Sequence, residues 1–269
     1  MERKINILSI CFTLFLVLLF VSGTLSGVPY WCVYLLSFVL PIILALVLED
    51  GEKIHKAKYL SLNSDELRFV LPIIVPTVVL VMFVSLITSI LIGALTGAKN
   101  SVDIGDSFAF ALITHALLPA ILEEALFRYL PLRLLGGHSK ITTVLLSSTL
   151  FALVHHNLFS IPYAFVAGVI FMVIDLACDS VIPSVLIHFI NNAVSVGILF
   201  YDDNAAFLPV VAILLGILSI ISIACIEKNK DEYKNRFSLP FERGEKFECP
   251  ISVIALGAIC LLIAIVGII

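Results

Sequence analysis

Charged residues are scarce in this sequence, and that shortage excludes an ordinary soluble domain. Only 13% of the 269 residues are Asp, Glu, Lys or Arg, whereas 61% are hydrophobic, and the mean hydropathy is +1.14. Soluble domains carry roughly 25% charged residues. The composition therefore predicts a polytopic membrane protein. The formal net charge is −4, and most charged residues lie in a few loops. We expect no nucleic-acid partner.

Paired cysteines are also missing. The six cysteines contain no CxxC pair and follow no regular spacing, and most of them lie in or at the edge of apolar segments. We interpret them as small residues facing the core or the lipid, rather than as a disulfide framework or a metal site. Internal repeats and low-complexity segments are likewise lacking, so we expect one integral membrane domain over residues 1–269.

Long apolar runs dominate what is present. A helix needs about 20 apolar residues to cross a bilayer, and the runs predict an all-α bundle of about nine transmembrane helices. The region 141–200 is apolar throughout but is interrupted near residues 155–157, 162 and 178–180, which divides it into three spans. The predicted spans are 5–27, 29–48, 69–97, 107–134, 141–156, 161–177, 181–200, 205–227 and 250–269.

The few basic residues indicate how the bundle is oriented. With a cytoplasmic N-terminus, the inner loops are 49–68, 135–140, 178–180 and 228–249, and they hold most Lys and Arg residues of the loops. Lys99 is the one basic residue of the predicted outer loops. This is a positive-inside pattern. It predicts a multi-pass protein, which we expect in the cell (plasma) membrane, with 228–249 as a solvated cytoplasmic loop.

Three ionisable residues lie inside the apolar run 107–134, in the stretch ILEEALFRYL. A charge at membrane depth costs about 2.5–3.5 kcal/mol on insertion scales, so such residues persist when they are paired or used. Glu124 and Arg128 are four residues apart, acid first, which is the favoured order for an ion pair. Glu123 points about 100° away and has no local cation. We therefore interpret Glu124 and Arg128 as a structural pair and Glu123 as a candidate general base.

Two further spans carry polar side chains at helical spacing. Phe151 and His155 are four residues apart, and so are His188 and Asn192, which therefore share a helix face. Asn191 is three residues after His188 and could share that face. These residues could instead act as interhelical contacts, worth about 0.6–2 kcal/mol each.

Together the polar groups suggest a hydrolytic site. Glu123 and His155 could hold and deprotonate a water molecule, while His188 and Asn192 could donate hydrogen bonds to an oxyanion. Such a set would hydrolyse an acyl bond without a serine or cysteine nucleophile. We interpret His115, two turns before Glu123, as an interhelical contact or an entrance residue. Asp175 is expected near the cytoplasmic end of its span, within reach of water.

The motifs resemble those of a known family of membrane proteins. The family is that of the CAAX proteases and bacteriocin-processing enzymes, called the CPBP or ABI family. Its motifs are E-E-x-x-x-R, F-x-x-x-H and H-x-x-x-N. This sequence has similar motifs in the segment EEALFR at 123–128, in the pair Phe151 and His155, and in the pair His188 and Asn192. The resemblance covers about residues 107–200. It makes this region the catalytic core, between the flanking spans of 1–97 and the C-terminal spans of 201–269.

The resemblance implies an intramembrane glutamate protease similar to the Ras-converting CAAX endopeptidase. By analogy, Glu123 and His155 activate the water, His188 and Asn192 stabilise the oxyanion, and Glu124, Arg128 and Phe151 support the site. The expected partners are the lipid bilayer and a peptide or prenylated, membrane-anchored protein as substrate. No cofactor is expected.

Two alternatives stay open. Glu123, His155 and His188 resemble a Glu/His/His zinc set, although no motif contains the H-E-x-x-H turn of a zinc protease. Outside the enzymes, the chain could be a non-proteolytic membrane partner, such as an immunity or sensor-binding protein.

Overall fold

The predicted all-α membrane bundle is confirmed. The computed structural model describes residues 2–22, 30–49, 59–97, 104–105, 107–135, 139–155 and 157–238, which form nine helices and no strand. The helices are α1 (Glu2–Ser22), α2 (Tyr30–Leu48), α3 (Ser64–Thr96), α4 (Phe108–Leu135), α5 (Lys140–Leu153), α6 (Ile161–Cys178), α7 (Ile182–Phe200), α8 (Phe207–Lys228) and α9 (Lys230–Phe237).

Helices α1 to α8 coincide with the first eight predicted spans. Five of them, α3, α4, α6, α7 and α8, are long and apolar enough to cross a membrane, and the apolar parts of α2 and α5 are shorter. No residue of α8 is buried, and most of its apolar side chains are exposed, as expected of a lipid-facing helix. The ninth predicted span, 250–269, lies outside the described residues.

Local sequence signals account for the limits of the long helix α3. Asn63 precedes the helix and accepts hydrogen bonds from the backbone N–H groups of Asp65 and Glu66, and the Glu66 side chain accepts the N–H of Asn63 in return. This capping box satisfies backbone donors that a helix start leaves open. At the other end Gly97 has a φ of +70°, the left-handed conformation that favours glycine and ends the helix.

Helix α4 contains two wide, π-helical turns, one on each side of Glu123 and Glu124. They span Leu112–Leu117 and Ala125–Tyr129. Each includes the residue four positions before a proline, Pro119 or Pro131, whose ring would clash with that carbonyl in a regular helix. The wide turns relieve this clash, and such turns are frequent at functional sites.

An aromatic core joins the first two helices to the helix that carries both glutamates. The ring of Phe127, on α4, lies 5.3 Å from Phe12 and 5.7 Å from Phe15, both on α1, and 5.5 Å from Phe151 on α5. Phe38 of α2 packs against Phe15. These rings fix the rotation of α4 about its axis.

Contacts between helix ends define two opposite ends of the bundle. At the basic end, Arg3 of α1 donates to the last carbonyl of α2 over 3.2 Å, and Arg133 near the end of α4 pairs with Glu49. Tyr233 of α9 donates to the Phe69 carbonyl near the start of α3 over 3.0 Å. Most basic residues of the described chain lie at this end, and the positive-inside pattern predicts that it is cytoplasmic.

At the opposite end, aromatic residues from α4, α7 and α8 pack together. The ring centroids of Phe108 and Phe200 are 5.3 Å apart, and those of Tyr201 and Phe207 are 4.9 Å apart. Asp202 lies in the exposed turn between α7 and α8. We call this the aromatic end; the positive-inside pattern predicts that it faces away from the cytoplasm.

Helices α5 and α6 approach each other closely at Gly168. A Cβ atom added there would lie 3.0 Å from the Cα and Cβ atoms of Ser148. Small residues allow backbones to approach in this way in membrane bundles. The contact fixes α5, and with it His155, against α6.

The substitution Gly168→Ala should therefore lower the melting temperature, because the added methyl group overpacks a close helix contact at a cost of about 1–3 kcal/mol. Gly216→Ala is the matched control, since a Cβ atom on this α8 residue meets nothing within 4 Å. Both changes gain similar helix propensity, so the difference between their melting temperatures in the same detergent isolates the packing effect. Equal melting temperatures would contradict the close α5–α6 contact.

Candidate active site

The four predicted catalytic side chains line one cavity of about 470 Å³. Glu123 comes from the middle of α4, His155 from the turn that follows α5, and His188 and Asn192 from α7. The structure thus brings together residues that lie on three separate predicted spans. The cavity walls also include Tyr34, Val81, Phe110, Thr114, His115, Leu118, Pro119, Phe151, Tyr163, Ala167, Phe171 and Asn191.

Behind the cavity, the predicted Glu124–Arg128 ion pair is confirmed. Both side chains are fully buried, and Arg128 Nε lies 3.4 Å from Glu124 Oε2. The guanidinium lies over the Phe151 ring, 4.4 Å from its centroid, and donates to the Phe127 carbonyl over 3.3 Å. Phe151, the first residue of the F-x-x-x-H motif, therefore makes a cation–π contact with Arg128.

Glu124 also contacts His188, which the sequence did not predict. His188 Nδ1 lies 2.7 Å from Glu124 Oε1. Because a carboxylate oxygen is an acceptor, Nδ1 carries the proton and donates it to Glu124. The other ring nitrogen, Nε2, then faces Glu123, whose Oε2 atom is 3.9 Å away. Glu124 thus holds the imidazole of His188 in one orientation towards the cavity.

His155 is oriented by its own helix. Its Nδ1 atom lies 2.8 Å from the carbonyl oxygen of Phe151, so Nδ1 is the donor and Nε2 is the nitrogen left for the cavity. The edge-on packing of the His155 ring against Phe151, with centroids 5.0 Å apart, fixes the ring plane. The F-x-x-x-H spacing therefore supplies both the acceptor and the packing partner of this histidine.

Glu123 has a partner from outside the predicted catalytic core. The Tyr34 hydroxyl, on α2, donates to Glu123 Oε1 over 3.0 Å. The sequence grouped Glu123 with polar residues of later spans and did not predict its contact with Tyr34. The available signal was a tyrosine within the apolar run 29–48, which needs a hydrogen-bond partner when buried.

Asn191 and Asn192 both line the cavity, so the face of α7 that points inwards includes both amides. Asn191 Nδ2 donates to Asn192 Oδ1 over 3.3 Å. This contact uses the carbonyl oxygen of Asn192 and presents its NH₂ group as the donor.

The expectation that Asp175 reaches water is wrong. Its side chain is fully buried, and Oδ1 accepts the backbone N–H of Ser184 near the start of α7 over 3.1 Å. The chain turns sharply at Asp179, which has a φ of 49°, and this turn brings the start of α7 back against Asp175. Asp175 therefore joins α6 to α7 beneath the site.

The described residues do not form a metal-binding set. No group of three or more His, Cys, Asp and Glu side chains among them is arranged to hold a metal ion. His188 uses Nδ1 for Glu124, and its Nε2 faces the Glu123 carboxylate. Glu123, His155 and His188 nevertheless line the same cavity, so the zinc alternative stays a hypothesis.

An all-helical bundle that encloses glutamates, histidines and asparagines in one cavity defines an integral membrane protein with an internal polar site. Residues 105–194, from just before α4 to well within α7, match the family described as type II CAAX prenyl endopeptidase Rce1-like. This segment of the chain is thus similar to the CAAX protease family. All four predicted catalytic residues lie within the matched segment. No curated protein and no solved structure matches the chain.

Proposed function

We propose that the protein is an intramembrane endopeptidase that hydrolyses a peptide bond of a lipidated or membrane-associated peptide, using a water molecule activated by Glu123 and His155. The observation that carries the proposal is the cavity itself, in which both side chains meet His188 and Asn192. The family acts on prenylated membrane proteins, and this is the first substrate class to test.

In the proposed first step, Glu123 and His155 Nε2 bind the water between them. The water oxygen attacks the carbonyl carbon of the scissile bond, and its proton passes to the Glu123 carboxylate. The Tyr34 hydroxyl bonds the same carboxylate and holds it in place. Glu123 then gives the proton to the leaving nitrogen, the C–N bond breaks, and the products are a carboxylic acid and an amine.

The negative charge that develops on the carbonyl oxygen needs donors. We assign these to Asn192 Nδ2 and to His188 Nε2, with Glu124 balancing the charge of a protonated His188. Donors that are oriented in advance stabilise such an oxyanion most, because they do not reorganise during the reaction. Glu124 and the Asn191 amide supply this orientation.

The proposal contains no metal-dependent step; among the described residues, no group of three or more His, Cys, Asp and Glu side chains is arranged to hold a metal ion. A zinc-dependent version of the same protease is a separate hypothesis. Full cleavage by protein that was purified and assayed in strong chelator would remove it.

The variant Glu123→Gln should abolish cleavage of a farnesylated fluorogenic peptide in detergent micelles, because the amide cannot accept the proton of the water. The same change at the exposed Glu227 is the control and should leave turnover unchanged. Equal melting temperatures would show that both variants fold. Turnover near the wild-type level in Glu123→Gln would contradict the assignment of the base.

The same pair of variants tests the non-proteolytic alternative. A role as an immunity or sensor-binding protein requires the folded bundle but not the base. A cellular phenotype that is fully restored by Glu123→Gln would therefore favour that alternative.

Asn192→Ala should lower kcat by about 100- to 1,000-fold, as the loss of one oxyanion donor does elsewhere. KM and the melting temperature should change little. Asn191→Ala is the matched neighbour; it removes only the hydrogen bond to Asn192, worth about 1 kcal/mol, so its effect should stay near tenfold or below. The reverse ranking, measured on one peptide substrate, would move the oxyanion role to Asn191.

A further inference from the structure

We propose that Asp175 is a positioning residue for the reaction: its carboxyl group caps the start of α7 and thereby holds His188 against Glu124. The inference deepens the proposed hydrolysis, on which its kinetic test rests. Asp175 lies on α6, between the second and third motifs, and it takes no part in the proposed chemical steps.

The backbone N–H groups at the start of α7 show why an acceptor is needed there. The first turn of a helix leaves its N–H groups without partners in the helix itself. The first residue, Ile182, donates its N–H to Ser180 Oγ over 3.2 Å, and the second, Pro183, has no N–H. The third, Ser184, donates its N–H to Asp175 Oδ1 over 3.1 Å.

The acceptor for this third N–H group comes from a neighbouring helix. A helix usually obtains the bond from the side chain at its own N-cap position. In α7 that position holds Val181, whose apolar side chain accepts no hydrogen bond. Asp175 supplies the acceptor instead. The bond therefore does more than end a helix, because it attaches the start of α7 to α6.

The capped residue and the predicted catalytic histidine lie on one face of α7. Ser184 and His188 are four residues apart, and so are Phe171 and Asp175 on α6. The ring of Phe171 lies 5.9 Å from the ring of His188. The two helices thus meet at two successive turns, once through these rings and once through the Asp175–Ser184 bond. Together the two contacts fix α7 both along its axis and in rotation.

The position of α7 decides whether His188 reaches Glu124. Its Nδ1 atom lies 2.7 Å from Glu124 Oε1. A displacement of about 1 Å would stretch this contact beyond the range of a hydrogen bond, and the imidazole would lose its fixed orientation towards the cavity. Asp175 and Ser184 have none of their surface exposed. They therefore act through His188 and not by touching the substrate.

A carboxyl group at this position has two ways to act, through its bond to Ser184 or through its charge. Asp175 interacts electrostatically with Glu124 and Arg128. Its second oxygen, Oδ2, is buried and has no hydrogen-bond partner within the described part of the chain. The bond to Ser184 is thus the contact that places the side chain. Asparagine separates the two effects, because it keeps the Oδ1 acceptor and removes the carboxylate.

The kinetic test compares Asp175→Leu with Asp175→Asn on the farnesylated peptide, with turnover expressed per folded, monodisperse protein. Asp175→Leu should lower kcat by about 10- to 100-fold and change KM little, because a displacement of about 1 Å in a reacting group can cost 100-fold in rate. Asp175→Asn should keep turnover near the wild-type level. Tyr233→Phe is the stability control; it loses the buried bond to the Phe69 carbonyl at the basic end and should lower the melting temperature with kcat unchanged.

Wild-type turnover in Asp175→Leu would overturn the proposal. An equal loss in the leucine and asparagine variants would do so as well, since it would assign the effect to charge. A raised KM with unchanged kcat would contradict a role in positioning. If Asp175→Leu does not fold, Asp175→Ala takes its place, with the same expected and contradicting results.

A spectroscopic test needs no substrate. In protein labelled with ¹⁵N-histidine, the proton on His188 Nδ1 should resonate far downfield, because it lies in a short hydrogen bond to a carboxylate. Its signal is assigned by its loss in His188→Gln. We expect the signal to persist in Asp175→Asn and to move upfield or vanish in Asp175→Leu.

The two proposals fail in different ways. An unchanged His188 signal in Asp175→Leu would overturn the positioning role, whether or not a peptide is cleaved. The expected change of the signal, without cleavage of any peptide by the wild-type protein, would contradict the proposed hydrolysis and leave the contact between Asp175 and α7 as the support of His188.

Discussion

The buried contact between Glu124, Arg128 and His188 is the constraint on which the site depends. Removing a charge from water costs several kcal/mol, and this cost is offset only when partners and geometry are good. Here Arg128 pairs with Glu124 at 3.4 Å and lies over Phe151, while Glu124 holds His188 at 2.7 Å. Because these residues lie on α4, α5 and α7, the cluster sets the relative positions of these three helices.

The two adjacent glutamates therefore have different environments. Glu124 faces the packed interior, where its contacts orient His188, whereas Glu123 faces the cavity and bonds Tyr34. One wide turn of α4 begins immediately after this pair, and the other ends at Leu117, before it. One short segment of α4 therefore has two roles. Glu124 stabilises the packing of the bundle, and Glu123 exposes its carboxylate to the cavity.

Much of the site could be predicted from local spacing. The four-residue intervals from Glu124 to Arg128, Phe151 to His155 and His188 to Asn192 each place two side chains on one helix face, and those pairs are found as expected. Contacts between distant helices could not be predicted, because they depend on how the helices are rotated and packed. Three features depend on such contacts between distant helices: the hydrogen bond from Tyr34 to Glu123, the Glu124–His188 hydrogen bond and the burial of Asp175.

A double-mutant cycle on the buried pair tests this account most directly, with Glu124→Met, Arg128→Met and the double variant compared in melting temperature and turnover. We expect either single change to cost about 3–5 kcal/mol, because it leaves an uncompensated buried charge, and the double variant to recover much of that loss. Turnover should stay low in the double variant, since His188 has lost its acceptor. Additive stability losses, or wild-type turnover in the double variant, would contradict the account.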